Sequence, residues 1–201
     1  MIPDRTTAMQ LLNEAYELNP GPWKAHSLVT AECAEKIAAC CPGMNSEKAF
    51  ILGLLHDIGR RFGVTQLAHV IDGYDYLLAL GFDEPARISL THSFAVKDIH
   101  TCIVRPDVSE ADYQRISDLI ASFDYDDYDR LIQLCDSIAM ADGPADIVTR
   151  MSDVKSRYGF YPREKWDKHL ELQKYFEDKM GKSLKLSLIH ISEPTRHLRI
   201  S

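Results

Sequence analysis

Apolar residues recur along most of this chain at steps of three and four, the spacing that lines up on one face of an α-helix. The strict alternation that marks a half-buried strand is nearly absent. The pattern predicts an all-α protein, a single compact domain of about eight helices. Asp4 can cap a first helix reaching about Leu18, and Asn19-Pro20-Gly21-Pro22 ends it. Pro22 suits the first turn of a second helix that runs to about Cys40, before Pro42-Gly43. Ser46, followed by Glu47, starts a helix that ends at Asp57, with Gly59 suited to its C-terminal turn. Arg60 to Gln66 reads as a connection into a helix ending near Gly81. Further helices are expected from Glu84 to about Phe94, from a Ser109 cap to Phe123, and through Leu131 to a stop at Gly143-Pro144. Two more follow, roughly Asp146 to Arg157 and Pro162 to Met180, joined by the aromatic turn Tyr158-Gly159-Phe160-Tyr161. That turn can wall a site or, as the default, pack the two helices together. No repeat, low-complexity segment or interdomain linker interrupts the pattern.

One doublet departs from this apolar order. His56-Asp57 closes the segment Ala49–Leu55 and is followed at once by Ile58-Gly59-Arg60. A histidine and a carboxylate at the end of a buried helix are costly to desolvate without a partner, and a divalent metal ion answers both. Imidazole nitrogen with carboxylate oxygen suits Mn, Fe, Ni, Co or Zn, and Mg less well. Other ligands stand on the apolar faces of other helices. His26 leads Val29, Cys33, Ile37 and Cys40 at three- and four-residue steps. Asp136 is flanked on its own face by Ile132, Ala139 and Met140. Taken singly, His26 reads as a hydrogen-bonded core histidine and Asp136 as a buried cap or ion-pair partner. Taken with the doublet, in the order His, His-Asp, Asp on three helices, they read as a metal site.

His26, His56-Asp57 and Asp136 resemble the H…HD…D signature of the HD-domain metal-dependent phosphohydrolase superfamily. Leu55-His56-Asp57-Ile58-Gly59 is similar to the common form of its central motif, and the likeness spans roughly residues 20–145. The resemblance implies an HD-type helical fold with the metal site between core helices, one or two divalent ions, and hydrolysis of a phosphate ester or anhydride. Many members place additional histidines between the doublet and the last aspartate. His69 and His92 match that order and are candidates for a second metal site or for catalysis, with Asp57 bridging; a capping or surface role is the plain alternative. Arg60 follows His56 by one turn and could contact a substrate phosphate, with Arg61 and Lys24 as weaker candidates. Thr30 could orient water or complete its helix face. The expected partner is a small phosphorylated molecule, a nucleotide first of all. Two alternatives stay open within the resemblance: a dinuclear-iron oxygenase, and a non-catalytic module that binds a nucleotide or a partner. Gly73-Tyr74-Asp75 lacks the Gly-Tyr-Pro element of the cyclic-di-GMP phosphodiesterase branch. His100 and His169 have weaker contexts and stay outside the candidate set.

Composition narrows the partners. The net charge is −7, and −8 without residues 186–201, which argues against a surface built for nucleic-acid backbones. A small phosphorylated ligand remains compatible, because a metal supplies local positive charge. Cys33, Cys40, Cys41, Cys102 and Cys135 form no CxxC pair and sit mostly among apolar residues, as reduced cysteines of a cytoplasmic protein do. No apolar run is long enough to span a bilayer, and no signal-peptide pattern opens the chain. Leu186 to Arg196, read as Leu-Ser-Leu-Ile-His-Ile-Ser-Glu-Pro-Thr-Arg, resembles the conceptual translation of a sequencing adapter. Residues 186–201 are therefore set aside as an expected artefact, His190 and His197 with them, and the helical domain is taken as 1–185.

Overall fold

The computed structural model describes residues 1–188 and is all-helical apart from one two-residue strand pair. The helices are α1 (Arg5–Leu18), α2 (Trp23–Ala39), α3 (Ser46–Leu55), α4 (Ala68–Ala79), α5 (Asp83–Thr91), α6 (Glu110–Ser122), α7 (Asp127–Ile138), α8 (Ile147–Tyr158), α9 (Arg163–Met180) and α10 (Leu184–Leu188). Tight 3₁₀ turns cover Ile58–Phe62 and Ile99–Thr101. Side chains that accept orphan backbone N–H groups set the starts of several helices. Asp4 accepts from the Thr7 amide, Asn45 from Lys48 and Ser109 from Asp112. The third helix thus begins one residue earlier in its capping than Ser46 suggests. Gly159 and Gly181, at φ of 82° and 68°, end α8 and α9 in the left-handed conformation that glycine adopts without strain.

Burial explains the arrangement. Every residue of α3 from Ala49 to Leu55 is buried, so this helix is apolar all round and must run through the middle. One side packs on Ala8, Leu12 and Ala15 of α1. The other joins a core built from Cys33 and Ile37 of α2, Leu131 and Leu134 of α7, and Leu172 and Phe176 of α9. A third apolar cluster ties Val70 and Ile71 of α4 to Leu90, Phe94, Ile116 and Ile120. All five cysteines are free, and burial raises the Cys33 thiol to about 12. No described helix is long and apolar enough to cross a membrane.

The structure departs from the expected boundaries in four places. Helix α3 stops at Leu55, so His56 and Asp57 form the turn beyond it, and Ile58–Phe62 is a 3₁₀ turn in place of a plain connection. Gly59 does not adopt the positive φ of a helix C-cap; it is there because α4 presses against it. A β-carbon on Gly59 would lie 2.0 Å from the His69 carbonyl oxygen and 2.6 Å from the Gly73 amide nitrogen. Helix α7 ends at Ile138, where Ala139–Met140 pairs antiparallel with Gly143–Pro144 and the Ala145 amide closes on the Ile138 carbonyl. The expected start of the artefact at Leu186 falls inside α10, whose Leu184 and Leu188 are buried in the main core. The remainder of that segment, residues 189–201, lies outside the described residues.

Replacing Gly59 with alanine should destabilise the fold by about 1–3 kcal/mol, the usual cost of forcing atoms into a filled space. Urea unfolding of Gly59→Ala beside the unaltered protein checks this, and an unchanged midpoint would contradict the close packing of the doublet on α4.

Candidate metal centre

Five helices deliver six side chains to one place. His26 lies in the first turns of α2, His56 and Asp57 follow α3, His69 opens α4, His92 closes α5, and Asp136 is near the end of α7. His56, Asp57, His69 and His92 are buried, whereas His26 and Asp136 are half-buried on the open side. The His26 Nε2 is 2.9 Å from the Asp136 Oδ1 and 3.3 Å from the His56 Nε2, and His56 Nε2 is 3.7 Å from the same Asp136 oxygen. On the other side, Asp57 Oδ1 is 3.2 Å from the His69 Nε2 and 3.7 Å from the His92 Nε2. Among the described residues, two groups could hold a metal ion by mutual proximity of their ligand atoms: His26, His56 and Asp57, and Asp57, His69 and His92. Asp57 belongs to both.

The ring tautomers follow from what lies behind each histidine. Nδ1 of His56 faces the Gly53 carbonyl at 2.7 Å, Nδ1 of His92 faces Ser89 at 2.9 Å, and Nδ1 of His69 faces Gln66. Each carbonyl belongs to the residue three positions earlier. A carbonyl only accepts, so Nδ1 carries the proton and the neutral ring presents Nε2 as a lone pair. The Nε2 atoms of His69 and His92 then face each other across 3.4 Å with lone pair toward lone pair. Arg60 Nη2, 3.5 Å from the His69 Nε2, reaches one of these lone pairs only at the limit of hydrogen bonding, and a cation between the two nitrogens would relieve the remaining repulsion, as in a metal ligand set. The donor chemistry therefore fits a divalent ion.

Electrostatics point the same way. Burial drives the His69 imidazole down to about 3, helped by the Arg60 charge, and drives His92 down to about 4, helped by His56. Both rings are therefore neutral near pH 7 and free to ligate. Burial also opposes ionisation of Asp57, but Arg60 and the histidines outweigh it and hold the carboxyl far below the usual range. Asp136 is likewise held well below that range, burial being outweighed by His26 and His56. For His56, burial is outweighed by Asp57 and Asp136, and its pKa rises. Arg60 is turned onto the site: its Nε donates to Asp57 Oδ2 at 2.7 Å and its Nη1 to the Thr65 carbonyl. Thr30 donates to the His26 carbonyl and so completes the helix.

These groups line the floor of a cavity of about 750 Å³. Its walls come from the turn before α2, the Ser93 and Cys102–Val104 stretches, and helices α8 and α9. Reasoning from the sequence missed part of this wall. His169, left aside there, is buried with Nδ1 2.8 Å from the Tyr161 hydroxyl, and Lys165 is buried with Nζ donating to the Ser93 carbonyl at 2.7 Å. A signal was present: Lys165, His169, Leu172 and Phe176 step by four, three and four along the buried face of α9. Two polar residues on an apolar stripe ask for a polar cavity. Tyr161 serves both expected roles of its turn, packing edge-on to Trp166 at 5.5 Å and lining the cavity. His100 stands apart beside Tyr113.

Comparison with known proteins gives one finding. Residues 7–75 match the HDOD domain family, an HD-related output domain, which supports a relation to the HD-like superfamily. The match takes in His26, His56, Asp57 and His69 and ends before His92 and Asp136. The chain matches no curated protein and no solved structure.

Metal-free protein should lose thermal stability as the pH falls from about 6.5 to 4. His69, His92 and His169 have depressed folded-state values, of about 3, 4 and 3, so across this window the unfolded chain binds protons that the folded chain refuses. His56, whose folded-state value is raised, takes up its proton above this window and does not offset the loss within it. Asp57 and Asp136 add to the loss only as the pH nears and passes below 3.8. Melting curves in a chelator check the slope; a flat or rising Tm on acidification would contradict it.

Proposed function

We propose that the protein is a metal-dependent phosphohydrolase acting on a nucleotide or another small phosphate ester or anhydride. The observation that carries this reading is the shared carboxylate. Asp57 stands between two histidine pairs, His26–His56 and His69–His92, at the floor of a cavity large enough for a nucleotide. His26, His56, Asp57 and Asp136 would hold one divalent ion, and Asp57, His69 and His92 a second. When bound, such ions supply acidity to water and positive charge to a phosphoryl group. Mn, Fe, Ni, Co and Zn suit this mixed nitrogen and oxygen set, and Mg suits it less.

The chain's own residues would divide the remaining work. The backbone carbonyls of Gly53, Gln66 and Ser89 hold each proton on Nδ1 and keep each Nε2 turned inward. Arg60 orients Asp57 through its Nε and lines the cavity, where its remaining N–H groups can meet a phosphate oxygen. The Tyr161 hydroxyl, whose pKa burial pushes well above the ordinary phenol value, keeps its proton and can only donate or accept a hydrogen bond. Buried α3 and α5 exclude bulk water from one side of the floor, so charge on the substrate is felt at low dielectric. Five free cysteines suit a reducing cytoplasmic setting.

A second reading has its own support. HDOD domains are HD-related and often non-catalytic, so the match at residues 7–75 favours a module that binds a nucleotide or partner without turnover. The ligand set, continued beyond the match by His92 and Asp136, favours the hydrolase.

Purified protein supplied with Mn should release phosphate from at least one member of a panel of nucleotides and phosphate esters. His56→Ala and Asp57→Ala should lower kcat/KM by at least about 100-fold, and Asp57→Ala should cut bound ions from two to at most one by elemental analysis. Tight nucleotide binding without turnover under any metal would replace this reading with the binding module. Two irons with oxygen uptake would replace it with an oxygenase.

A further inference from the structure

Four cationic side chains line the cavity, and three of them have a carboxylate. Arg60 pairs with Asp57 at 2.7 Å, while Arg150 and Arg157 share Asp153 at 2.8 and 3.0 Å. Lys165 is the exception. Among the described residues no carboxylate lies within ion-pair distance of its ammonium, which is buried and held by the Ser93 carbonyl alone. An ammonium has three donors, and burying one with a single neutral acceptor is costly unless a negative group completes it. The nearby Cys102 thiol offers no charge, since burial raises its pKa. Asp136 reaches Lys165 only over longer range and already faces His26 and His56.

The position is as informative as the missing partner. Ser93 follows His92 directly in the chain, so the Lys165 ammonium is tied to the residue next to a candidate ligand, and Lys165, Ser93 and His92 all line the cavity. His169 lies one turn further along α9 on the same buried face. Its Nδ1 is engaged by the Tyr161 hydroxyl at 2.8 Å, which leaves Nε2 as the ring atom for a ligand; in the tautomer where the hydroxyl donates, that Nε2 carries the proton and is a second donor. A free orthophosphate would occupy a small part of some 750 Å³.

We propose that Lys165 and His169 form a phosphate subsite beside the metal centre, so that the substrate carries two linked phosphoryl groups, one facing the histidine–aspartate floor and one facing α9. This deepens the hydrolase reading and rests on it for the group at the floor; it selects a phosphate anhydride such as a nucleoside diphosphate or polyphosphate over a simple monoester. The subsite lies outside residues 7–75, so it belongs to this chain's own C-terminal helices rather than to the matched segment.

The test is calorimetric titration of the Mn-loaded full chain with two probes, orthophosphate and methylenediphosphonate. Lys165→Met should weaken methylenediphosphonate by about 10-fold or more while leaving orthophosphate nearly unchanged. Lys165→Arg should restore part of the loss, and His169→Gln should weaken the same probe by a smaller factor. Circular dichroism and metal content confirm that each variant is folded and loaded; should Lys165→Met fail there, His169→Gln is judged by the same selectivity. If the variants weaken both probes alike, or neither, the subsite is refuted and phosphate binding at the metals stands. If the unaltered Mn-loaded protein binds neither probe, the hydrolase reading falls and the subsite with it.

Discussion

The arrangement turns on one carboxylate that has given up its water. Asp57 is buried at the end of an apolar helix, and what replaces hydration there is a ring of neighbours chosen from four segments: Arg60 on Oδ2, His69 and His92 on Oδ1, and His56 behind. Placing an isolated charge in such a setting would cost many times the net stability of a domain. The histidines cannot pay for it alone, because burial keeps His69 and His92 neutral. Arg60 supplies one full positive charge. The two opposed lone pairs of His69 and His92 call for another, and a divalent cation would meet that demand and complete the charge around Asp57 at once.

Holding ligands from five helices in register requires rigidity behind them, and the structure provides it with polar as well as apolar contacts. Asp129 of α7 is fully buried, accepts from Thr91 at 2.8 Å and pairs with Arg87 at 3.2 Å. Gln133, one turn on, donates to the carbonyls of Thr91 and Phe94. Both therefore clamp the end of α5, on either side of His92, to the helix that carries Asp136. Gly59 and Gly73 do the equivalent for α4: the absence of side chains lets its backbone lie against the doublet turn, which sets His69 next to Asp57. Gly59, Gly73, Asp129 and Gln133 all lie where two ligand-bearing segments meet.

How much of this could be read from residues alone depended on whether the information was local. Helix periods, the Asp4 and Ser109 caps and the all-α class are local, and they appear in the structure within a residue or two of the expected positions. The apolar faces carrying His26 and Asp136 were legible for the same reason, as was the order of the histidines. The end of α3 was misjudged because His56 keeps helical torsion angles and only Asp57 departs from them, a change with no signal in residue type. Gly59 was assigned to a turn because a glycine after a helix usually caps it; that it accommodates another helix is a tertiary fact. The hairpin after α7 is two residues per strand, too short for any alternation to show. Lys165 and His169 were overlooked although their spacing was regular, since a polar pair on a mostly charged helix resembles solvated surface until Leu172 and Phe176 are seen to share its face.

The boundary of the family match runs through the candidate metal centre. Residues 7–75 supply α1 to α3, the doublet and His69, and so hold all of one ligand group, His26, His56 and Asp57, and two members of the other, Asp57 and His69. A relative that ended its resemblance there would lack His92 from the second group and, beside the first, the Asp136 carboxylate that faces His26 and His56. In this chain α5 and α7 restore both, and the buried Thr91–Asp129 contact ties the two restorations together. The C-terminal helices then add a cavity wall that carries a buried ammonium with no carboxylate partner among the described residues. A module that needed only to dock a partner would gain nothing from a desolvated lysine facing a cavity floored by four histidines. A site that must hold a charged, polyatomic substrate against metal ions would gain its grip from that lysine.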